Sequence, residues 1–293
     1  VGILKESGIE SVVYVKDEGE PTGDMVNKGA AIARENKIDA IVGLGGGSSM
    51  DTAKMIGKVI ANDAARAEDL LGGYTALNVG NKKFEPTLLL STTAGTGSEV
   101  SYGLMCENMD NLKKTFCLHP GTYAIIDPYY HRTQPKDITA CCGLDAMAHS
   151  LESLCNSYAM VNPLADMYCK EGIRATWDNL YKAYCEPDNL DARAGMAYAA
   201  MIGGSAITLR KTNLGHAISN QLVDYYHLSH GVAVSIGLMA QVKYNIEKDP
   251  ASSALIAPCM GIPVDENSDL KAVGREIYER IYKLSKDMGV KNM

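Results

Sequence analysis

Two side chains that can bind a metal ion lie close together near the middle of the sequence. Asp145 and His149 stand four residues apart in CCGLDAMAHSLES (141–153), a run that is otherwise typical of a buried helix. Residues four apart on a helix share one face, so this carboxylate and this imidazole project together. Two alternatives involve no metal: the pair forms a hydrogen bond that stabilises the core, or it lies partly exposed at a groove.

Histidines are concentrated further along the chain. Of the six in the sequence, His216, His227 and His230 lie within 15 residues. A carboxylate with three imidazoles is a suitable ligand set for a divalent metal such as Fe²⁺ or Zn²⁺, and ligands on separate helices can converge in a helical core. Spacing alone does not rank His227 against His230, although His230 is predicted to begin a helix and His227 to lie in a loop.

A run of three glycines joins a predicted strand to a predicted helix in VGLGGGSSMDTAK (42–54). It consists of Gly45, Gly46 and Gly47. Glycine lets a phosphate approach the backbone closely, and a helix N-terminus offers free N–H groups and a partial positive charge. The spacing matches neither GxGxxG nor a Walker A loop, so a tight turn that binds nothing is the alternative.

A second turn of small residues follows another predicted strand. STTAGTGSE (91–99) offers the hydroxyl groups of Thr92, Thr93, Thr96 and Ser98. Two such turns at the carboxyl ends of neighbouring parallel strands would face one crevice, which is where open α/β sheets bind ligands. Together the two turns favour a nucleotide as the ligand.

The first half of the chain has the pattern of an α/β domain. Residues 1–135 alternate short β-branched runs with helical patterns, which predicts a Rossmann-like parallel sheet flanked by helices. Ser48 or Ser49 is the expected N-cap of the helix after the glycine run. Strands are predicted at 11–15, within 39–47 and 86–99, and at 122–128; helices are predicted at 23–37 and 48–62.

The second half changes character at residue 136. Residues 136–293 are rich in Ala, Met, Leu and Tyr at helical spacing, which predicts an all-α domain. The boundary is placed in DPYYHRTQPKDIT (127–139), which carries two prolines. The clearest helical patterns are 165–184, 191–207 and 274–288.

Composition narrows the class of protein. The chain has 293 residues, 46% of them hydrophobic, and a net charge of -7, which predicts a globular protein and disfavours nucleic acid as a partner. No apolar run is long enough to span a bilayer, so no membrane partner is expected. The eight cysteines include no CxxC pair, and we interpret them as reduced thiols of a cytoplasmic protein.

Four motifs together carry a resemblance to a known family. GGGSSMDTAK, TTAGTGSEV, GLDAMAHSLES and GHAISNQLVDYYHLSHG occur in this order. In order and spacing the chain resembles the iron-containing (group III) alcohol dehydrogenases from about residue 11 to 245. That superfamily also includes glycerol dehydrogenase and resembles dehydroquinate synthase in fold, so the resemblance implies a dehydroquinate synthase-like architecture.

The resemblance also implies roles for individual residues. The metal ligands, and with them the catalytic centre, would be Asp145, His149, His216 and His230, which selects His230 over His227. The cofactor pyrophosphate would lie on the glycine turn (Gly45, Gly46 and Gly47) and Ser48, with Asp51 nearby. The nicotinamide half of NAD(P) would contact Thr92, Thr93 and Thr96. Lys114, or its neighbour Lys113, would reach the cofactor ribose.

The sequence departs from the family pattern in three places. Asn220 stands where many members carry a further histidine near the site of hydride transfer. Glu20 stands where the family usually has Asn before the pair that is here Pro21 and Thr22. By the same comparison, the first strand of the family would lie before Val1 and its closing helices after Met293.

These observations predict a metal-dependent NAD(P) oxidoreductase that interconverts a small primary alcohol and its aldehyde. A dehydroquinate synthase-like lyase is one alternative, although ITLRKTN (207–213) is the one basic cluster available for an acidic substrate. A non-catalytic or truncated nucleotide-binding member of the fold is the other. The sequence does not decide between iron and zinc as the metal, or between NAD and NADP as the cofactor. The resemblance implies a homo-oligomer, a dimer or larger.

Overall fold

A computed structural model of the chain describes residues 1–71, 80–157 and 162–290. Contacts between Cα atoms divide it into two compact units. The first unit consists of Val1–Gly43, Ser48–Leu89 and Gly103–Tyr123; the second consists of Leu44–Gly47, Leu90–Tyr102 and Ala124–Met293.

Three strands form the predicted parallel sheet: β1 (Ile41–Gly45), β2 (Thr87–Ser91) and β5 (Tyr123–Ile125), in the order β1-β2-β5. The bonds Ile41 N–H to Pro86 O and Thr92 N–H to Gly45 O advance along both strands in the same direction. β1 and β2 therefore end side by side, which confirms that the glycine turn and the threonine turn leave neighbouring strands at the same edge.

A two-stranded antiparallel hairpin was not expected from the sequence. β3 (Gly103–Asn108) pairs with β4 (Lys113–Leu118), so that Gly103 lies opposite Leu118 and Asn108 opposite Lys113. Leu104 and Cys106 on β3 are buried in the apolar cluster of the first unit, whose other members include Val26, Ala30 and Val59.

The first unit has the two predicted helices and two short helical segments that were not predicted. They are α1 (Gly2–Glu6), α2 (Gly23–Glu35), α3 (Gly47–Ala61) and a 3₁₀ turn at Ala67–Leu70, of which α2 and α3 were predicted. Thr22 caps α2 by accepting a hydrogen bond from Met25 N–H, as its residue type favours. Gly43 of β1 lies against Ala53 of α3 and Leu89 of β2, so α3 covers one face of the sheet.

Two local predictions for this half were wrong. Residues 11–15 form no strand; Val12, Val13 and Val15 are exposed, because β propensity gives a strand only where a neighbouring strand is available to pair. Ser48 and Ser49 do not cap α3, since the helix already begins at Gly47. Ser48 Oγ instead donates to Gly19 O at 2.6 Å.

In the described residues from 136 onward, the regular elements of the second unit are all helices, which confirms the predicted all-α half. Its helices are α4 (Lys136–Leu154), α5 (Pro163–Cys185), α6 (Leu190–Arg210), α7 (Leu214–Tyr226), α8 (His230–Lys248), α9 (Ala251–Ile256) and α10 (Leu270–Asp287), with 3₁₀ turns at Pro128–His131 and Ala257–Met260. Asn162, Asn189 and Asp269 cap α5, α6 and α10 with their side chains. Among the described residues, no helix combines the length and apolar character needed to cross a membrane.

Helix α4 lies inside this bundle rather than on its surface. Every residue from Gly143 to Leu154 is buried, and α5, α6 and α8 pack around it. A helix that is buried on all sides takes its polar side chains into the core with it, where they need partners. Asp145 and His149 are therefore interior groups.

Candidate metal centre and cofactor turns

Three histidines converge on one oxygen atom inside the second unit. His149 Nε2, His216 Nε2 and His230 Nε2 lie 3.5, 3.4 and 3.8 Å from Asp145 Oδ1. The ligand atoms of Asp145, His149 and His216 all lie within 4.8 Å of one another. Helix α4 supplies the carboxylate and the first imidazole, and the first residues of α7 and α8 supply the other two.

The spacing of these atoms fits a shared metal ion better than hydrogen bonding. Asp145 Oδ1 and His216 Nε2 are buried, and neither makes a hydrogen bond within the described part of the chain. Ligands at about 2.1 Å from a tetrahedral metal lie about 3.4 Å from one another, which matches the measured separations. Imidazole nitrogen and carboxylate oxygen are also the ligand types that suit Fe²⁺ and Zn²⁺.

The electrostatics of the cluster favour positive charge at its centre. Burial alone would raise the pKa of Asp145, but its imidazole neighbours, His149 foremost, hold that pKa well below its usual range. Burial lowers the pKa of His149 to about 4. Burial would also lower the pKa of His216, but Glu152 and Asp145 raise it to about 10. A divalent cation would supply the positive charge that these two carboxylates attract.

The structure distinguishes the two histidines that spacing left unranked. His230 begins α8, as predicted, and its side chain is 29% exposed, so it forms the open side of the cluster. His227 terminates α7 with a left-handed φ of 53° and is exposed. The turn at His227 leaves it outside the group of converging nitrogens. Asn220 lies one helical turn after His216 on α7 and is partly exposed.

Sequence reasoning missed one residue of the cluster. Glu152 is fully buried on α4, and His216 Nδ1 donates to its Oε1 at 2.8 Å. It lies seven residues after Asp145 and three after His149, so the same helical periodicity that paired those two residues places Glu152 on their face. The signal was present in GLDAMAHSLES, but only the tertiary structure brings His216 to it.

The two turns proposed for the cofactor pack against each other. A Cβ on Gly46 would lie 3.2 Å from Thr93 Oγ1, and a Cβ on Gly47 would lie 2.6 Å from Thr96 Cγ2. Gly45 has a φ of 148°, a backbone conformation that residues other than glycine rarely adopt. The glycine run is therefore required by backbone conformation and by close approach to the threonine turn, and it leaves the turn surface bare.

The threonine turn is seated on the helical bundle of the same unit. Gly97, with a φ of 60°, contacts Ala200 O and Gly204 on α6, and Gly95 contacts Cys142 on α4. Thr92 N–H donates to Gly45 O at 2.9 Å, and Thr96 Oγ1 accepts from Ser98 N–H at 3.2 Å. The turn is thus tied both to the glycine turn and to the helix that carries Asp145.

The remaining predicted cofactor residues belong to the first unit, where each has protein partners. Asp51 Oδ2 accepts a hydrogen bond from Met105 N–H at 2.9 Å, and Asp51 Oδ1 lies 3.3 Å from Lys54 Nζ. Lys114 Nζ lies 3.2 Å from Glu20 Oε2. The side chain of Lys113 lies outside the described residues. Glu20, one of the departures from the family pattern, is thus the ionic partner of Lys114.

The chain matches two protein families, one in each half. Residues 1–128 match the family described as iron-containing alcohol dehydrogenase. Residues 139–293 match the family described as Fe-containing alcohol dehydrogenase, C-terminal. The two matches are separated by residues 129–138, the stretch in which the helical half of the chain begins.

Individual relatives agree with the family matches. The chain is 33% identical to 1,3-propanediol dehydrogenase of Klebsiella pneumoniae over 98% of its own length and 73% of that protein's. It is 30% identical to NAD-dependent methanol dehydrogenase of Bacillus methanolicus, over 98% of its own length and 74% of that protein's. The chain superposes on sulfoacetaldehyde reductase from Bifidobacterium kashiwanohense, which was solved in complex with NAD⁺. The TM-score is 0.86 and the sequence identity 28%, over 99% of this chain and 74% of the reductase chain.

The family matches, the relatives and the converging ligand set agree on one class of protein, an oxidoreductase that interconverts alcohols and aldehydes with a nicotinamide cofactor. On these grounds the chain belongs to the iron-containing alcohol dehydrogenase family.

Proposed function

We propose that Asp145, His149, His216 and His230 hold a divalent metal ion, Fe²⁺ or Zn²⁺, at which a small primary alcohol or its aldehyde reacts. The observation that carries this proposal is the approach of three imidazole Nε2 atoms to within 3.4–3.8 Å of Asp145 Oδ1. When bound, the metal acts as a Lewis acid toward the substrate oxygen, and the nicotinamide accepts or donates the hydride.

The residues of the chain then have distinct tasks. Asp145 and His149 are buried on α4. Their burial keeps water away from this side of the metal site and fixes the positions of both ligand side chains. His230 is the most exposed of the four, so substrate would approach from its side. Thr92 and Thr93, which lie in the turn beside the glycines, would pass the alcohol proton to water together with the cofactor ribose.

The glycine turn and the threonine turn are the proposed cofactor site. Gly45, Gly46 and Gly47 leave bare backbone at the start of α3, where the helix N-terminus favours a pyrophosphate. Thr96, whose side chain lies against Gly47, would meet the nicotinamide half, and Ser48, Asp51 and Lys114 would contact the pyrophosphate and ribose. NAD is the first cofactor to test, because one relative is named NAD-dependent and another was solved with NAD⁺.

The substrate class is proposed from the chemistry and from the relatives. The matched proteins are named for 1,3-propanediol and methanol, so short primary alcohols and their aldehydes are the substrates to try first. No observation favours the lyase-type or non-catalytic alternatives. We also propose a cytoplasmic location and a homo-oligomer; all eight cysteines are free thiols, in keeping with a reducing compartment.

The test is an anaerobic reconstitution. The purified protein is stripped of metal, reloaded with Fe²⁺ or Zn²⁺, and mixed with NADH or NADPH and a panel of short aldehydes while cofactor absorbance is followed. Metal-dependent oxidation of NADH is the expected result.

Two histidine variants make the assay specific to the site. His230→Ala removes a proposed ligand and should abolish turnover and weaken metal binding. His227→Ala changes an exposed histidine three residues earlier and should behave like the wild-type protein. Equal loss in both variants, or turnover that is independent of metal, would refute the assignment of the site.

A further inference from the structure

Glu152 is a buried carboxylate that contacts the proposed metal centre without being one of its ligands. Its side chain is 0% exposed. Its Oε1 accepts from His216 Nδ1 at 2.8 Å, and its Oε2 accepts from the backbone N–H groups of His216 and Asn213 at 3.0 and 2.8 Å. One carboxylate therefore binds both the ring and the backbone of the same histidine.

We propose that Glu152 is the positioning residue for His216, and that it controls how tightly the cluster binds a divalent metal. The inference rests on the proposed function, because it concerns the same metal ion. A carboxylate can only accept, so the proton of the neutral imidazole must lie on Nδ1. The lone pair of Nε2 then faces Asp145 Oδ1, 3.4 Å away, in the tautomer that a metal requires.

The chain around His216 is adapted to this carboxylate. Residue 215 is glycine, and a side chain there would collide with Glu152 Oε1 and would lie 3.0 Å from Gly237 O. The close approach of the carboxylate to the start of α7 is thus possible only without a Cβ at this position. A residue that merely capped the helix would not need contact with the imidazole as well.

Glu152 also completes the charge of the centre. With neutral imidazoles, Asp145 alone would leave a divalent cation with one uncompensated positive charge in a buried site. The second carboxylate makes the assembly neutral, which lowers the cost of holding the ion away from water. Orientation, tautomer and charge therefore all depend on the same side chain.

The first turn of α7 has a second anchor, so a change at Glu152 can be tested in a folded protein. Gly215 N–H donates to Gln241 Oε1 at 3.2 Å, and Gln241 Nε2 donates to Asn245 Oδ1 at 2.8 Å. Asn245 in turn donates to Cys155 Sγ at 3.2 Å. This buried chain of amides holds the turn independently of Glu152.

The decisive variant is Glu152→Gln. Its amide oxygen can still accept from the backbone N–H groups of Asn213 and His216, so the helix cap is kept. Its NH₂ group would then face His216 Nδ1 and donate to it, which moves the imidazole proton to Nε2 and blocks the ligand atom. We expect metal affinity, measured by competition with a chelator for Co²⁺ or Zn²⁺, to fall by roughly 10- to 100-fold.

Three further readouts separate positioning from a purely structural role. The visible absorption of the Co²⁺-loaded protein should change in Glu152→Gln, while the melting temperature of the metal-free variant stays near the wild-type value. In a double-mutant cycle, Glu152→Gln should weaken metal binding little further once His216→Ala is present, because its effect acts through that ring.

The outcomes distinguish this inference from the function on which it rests. Wild-type affinity and an unchanged Co²⁺ spectrum in Glu152→Gln would overturn the positioning role and leave the metal site standing. An additive effect in the cycle would overturn it in the same way. A wild-type protein that binds neither ion would overturn the metal site and the inference together.

Discussion

Gly97 and Gly204 bring the backbones of the threonine turn and helix α6 into direct contact. A Cβ on Gly97 would lie 2.6 Å from Gly204 Cα, and a Cβ on Gly204 would lie 2.5 Å from Gly97 O. The neighbouring Gly203 packs in turn against His149, where a Cβ would lie 3.3 Å from His149 Cβ. Two adjacent glycines of one helix thus connect the proposed nicotinamide turn to a proposed metal ligand.

The first prediction concerns this contact. Gly204→Ala places a methyl group 2.5 Å from Gly97 O, closer than van der Waals contact allows, so the threonine turn must move. We expect a loss of about 1–3 kcal/mol in the free energy of unfolding. Turnover should fall by roughly tenfold or more, because displacement of a positioning element by about 1 Å can cost 100-fold. Urea unfolding, metal content and NADH affinity are the measurements.

The matched control is the neighbouring residue. Ser205 Oγ donates to Met201 O of its own helix at 3.0 Å, so Ser205→Ala should leave stability and turnover nearly unchanged. Metal content should be normal in both variants. If Gly204→Ala bound NADH and turned over like Ser205→Ala, the contact would have no role in holding the turn.

The second prediction concerns removal of the metal. Asp145 and Glu152 are buried acids, and the bound cation offsets their charge, so a chelator should lower the melting temperature. An ion present at about 100 times its dissociation constant stabilises the fold by about 2.7 kcal/mol. Differential scanning fluorimetry with Zn²⁺, with Mg²⁺ and with chelator checks this.

The choice of ions and a variant give the control for that experiment. Zn²⁺ should restore the melting temperature and Mg²⁺ should not, because Mg²⁺ prefers oxygen ligands to imidazole. In His216→Ala the chelator should lower the melting temperature by much less than in the wild type, because one ligand is lost. A chelator response as large as that of the wild type would show that the stabilising ion binds elsewhere.

The third prediction concerns the pH dependence of stability through His119. This imidazole is 2% exposed; burial first, and then the charges of Lys58, Lys54 and Lys83, lower its pKa from 6.5 to about 4. The unfolded chain takes up the proton near pH 6.5 and the folded chain only near pH 4. Stability contributed by the neutral ring is therefore present above pH 6.5 and is lost as pH falls toward 4, by on the order of 3 kcal/mol.

Unfolding of the wild-type protein and of His119→Phe at pH 7.5 and pH 5 tests this sign. His119→Phe keeps an apolar ring that does not titrate, so its loss of stability between the two values should be smaller than that of the wild type. His227→Ala, a change at an exposed histidine, should lose as much as the wild type. Equal losses in all three proteins would mean that His119 titrates normally in the folded chain.

The elements that sequence reasoning predicted well are those whose pattern is local. Helices α2, α3, α5, α6 and α10 follow apolar residues at helical spacing, and all of these except α3 begin after a residue whose side chain caps the helix. The segment 11–15 and the β3–β4 hairpin show the limit of that reasoning. A β-branched run such as 11–15 forms a strand only if another strand is available to pair with it. The hairpin was missed for the opposite reason: β3 and β4 pair with each other although Thr115 is the one β-branched residue in the two strands.

The site divides in the same way. Helical periodicity in the sequence alone placed Asp145 and His149 on one face, and the glycine and threonine runs marked two turns at the ends of strands. Periodicity and spacing did not decide between His227 and His230, and they did not identify Glu152 as part of the site. Only the tertiary structure brings the starts of α7 and α8 to α4, turns His227 away at the end of α7, and sets Glu152 against His216. Periodicity determines which residues share a face of one helix, whereas the packing of separate helices determines which faces meet.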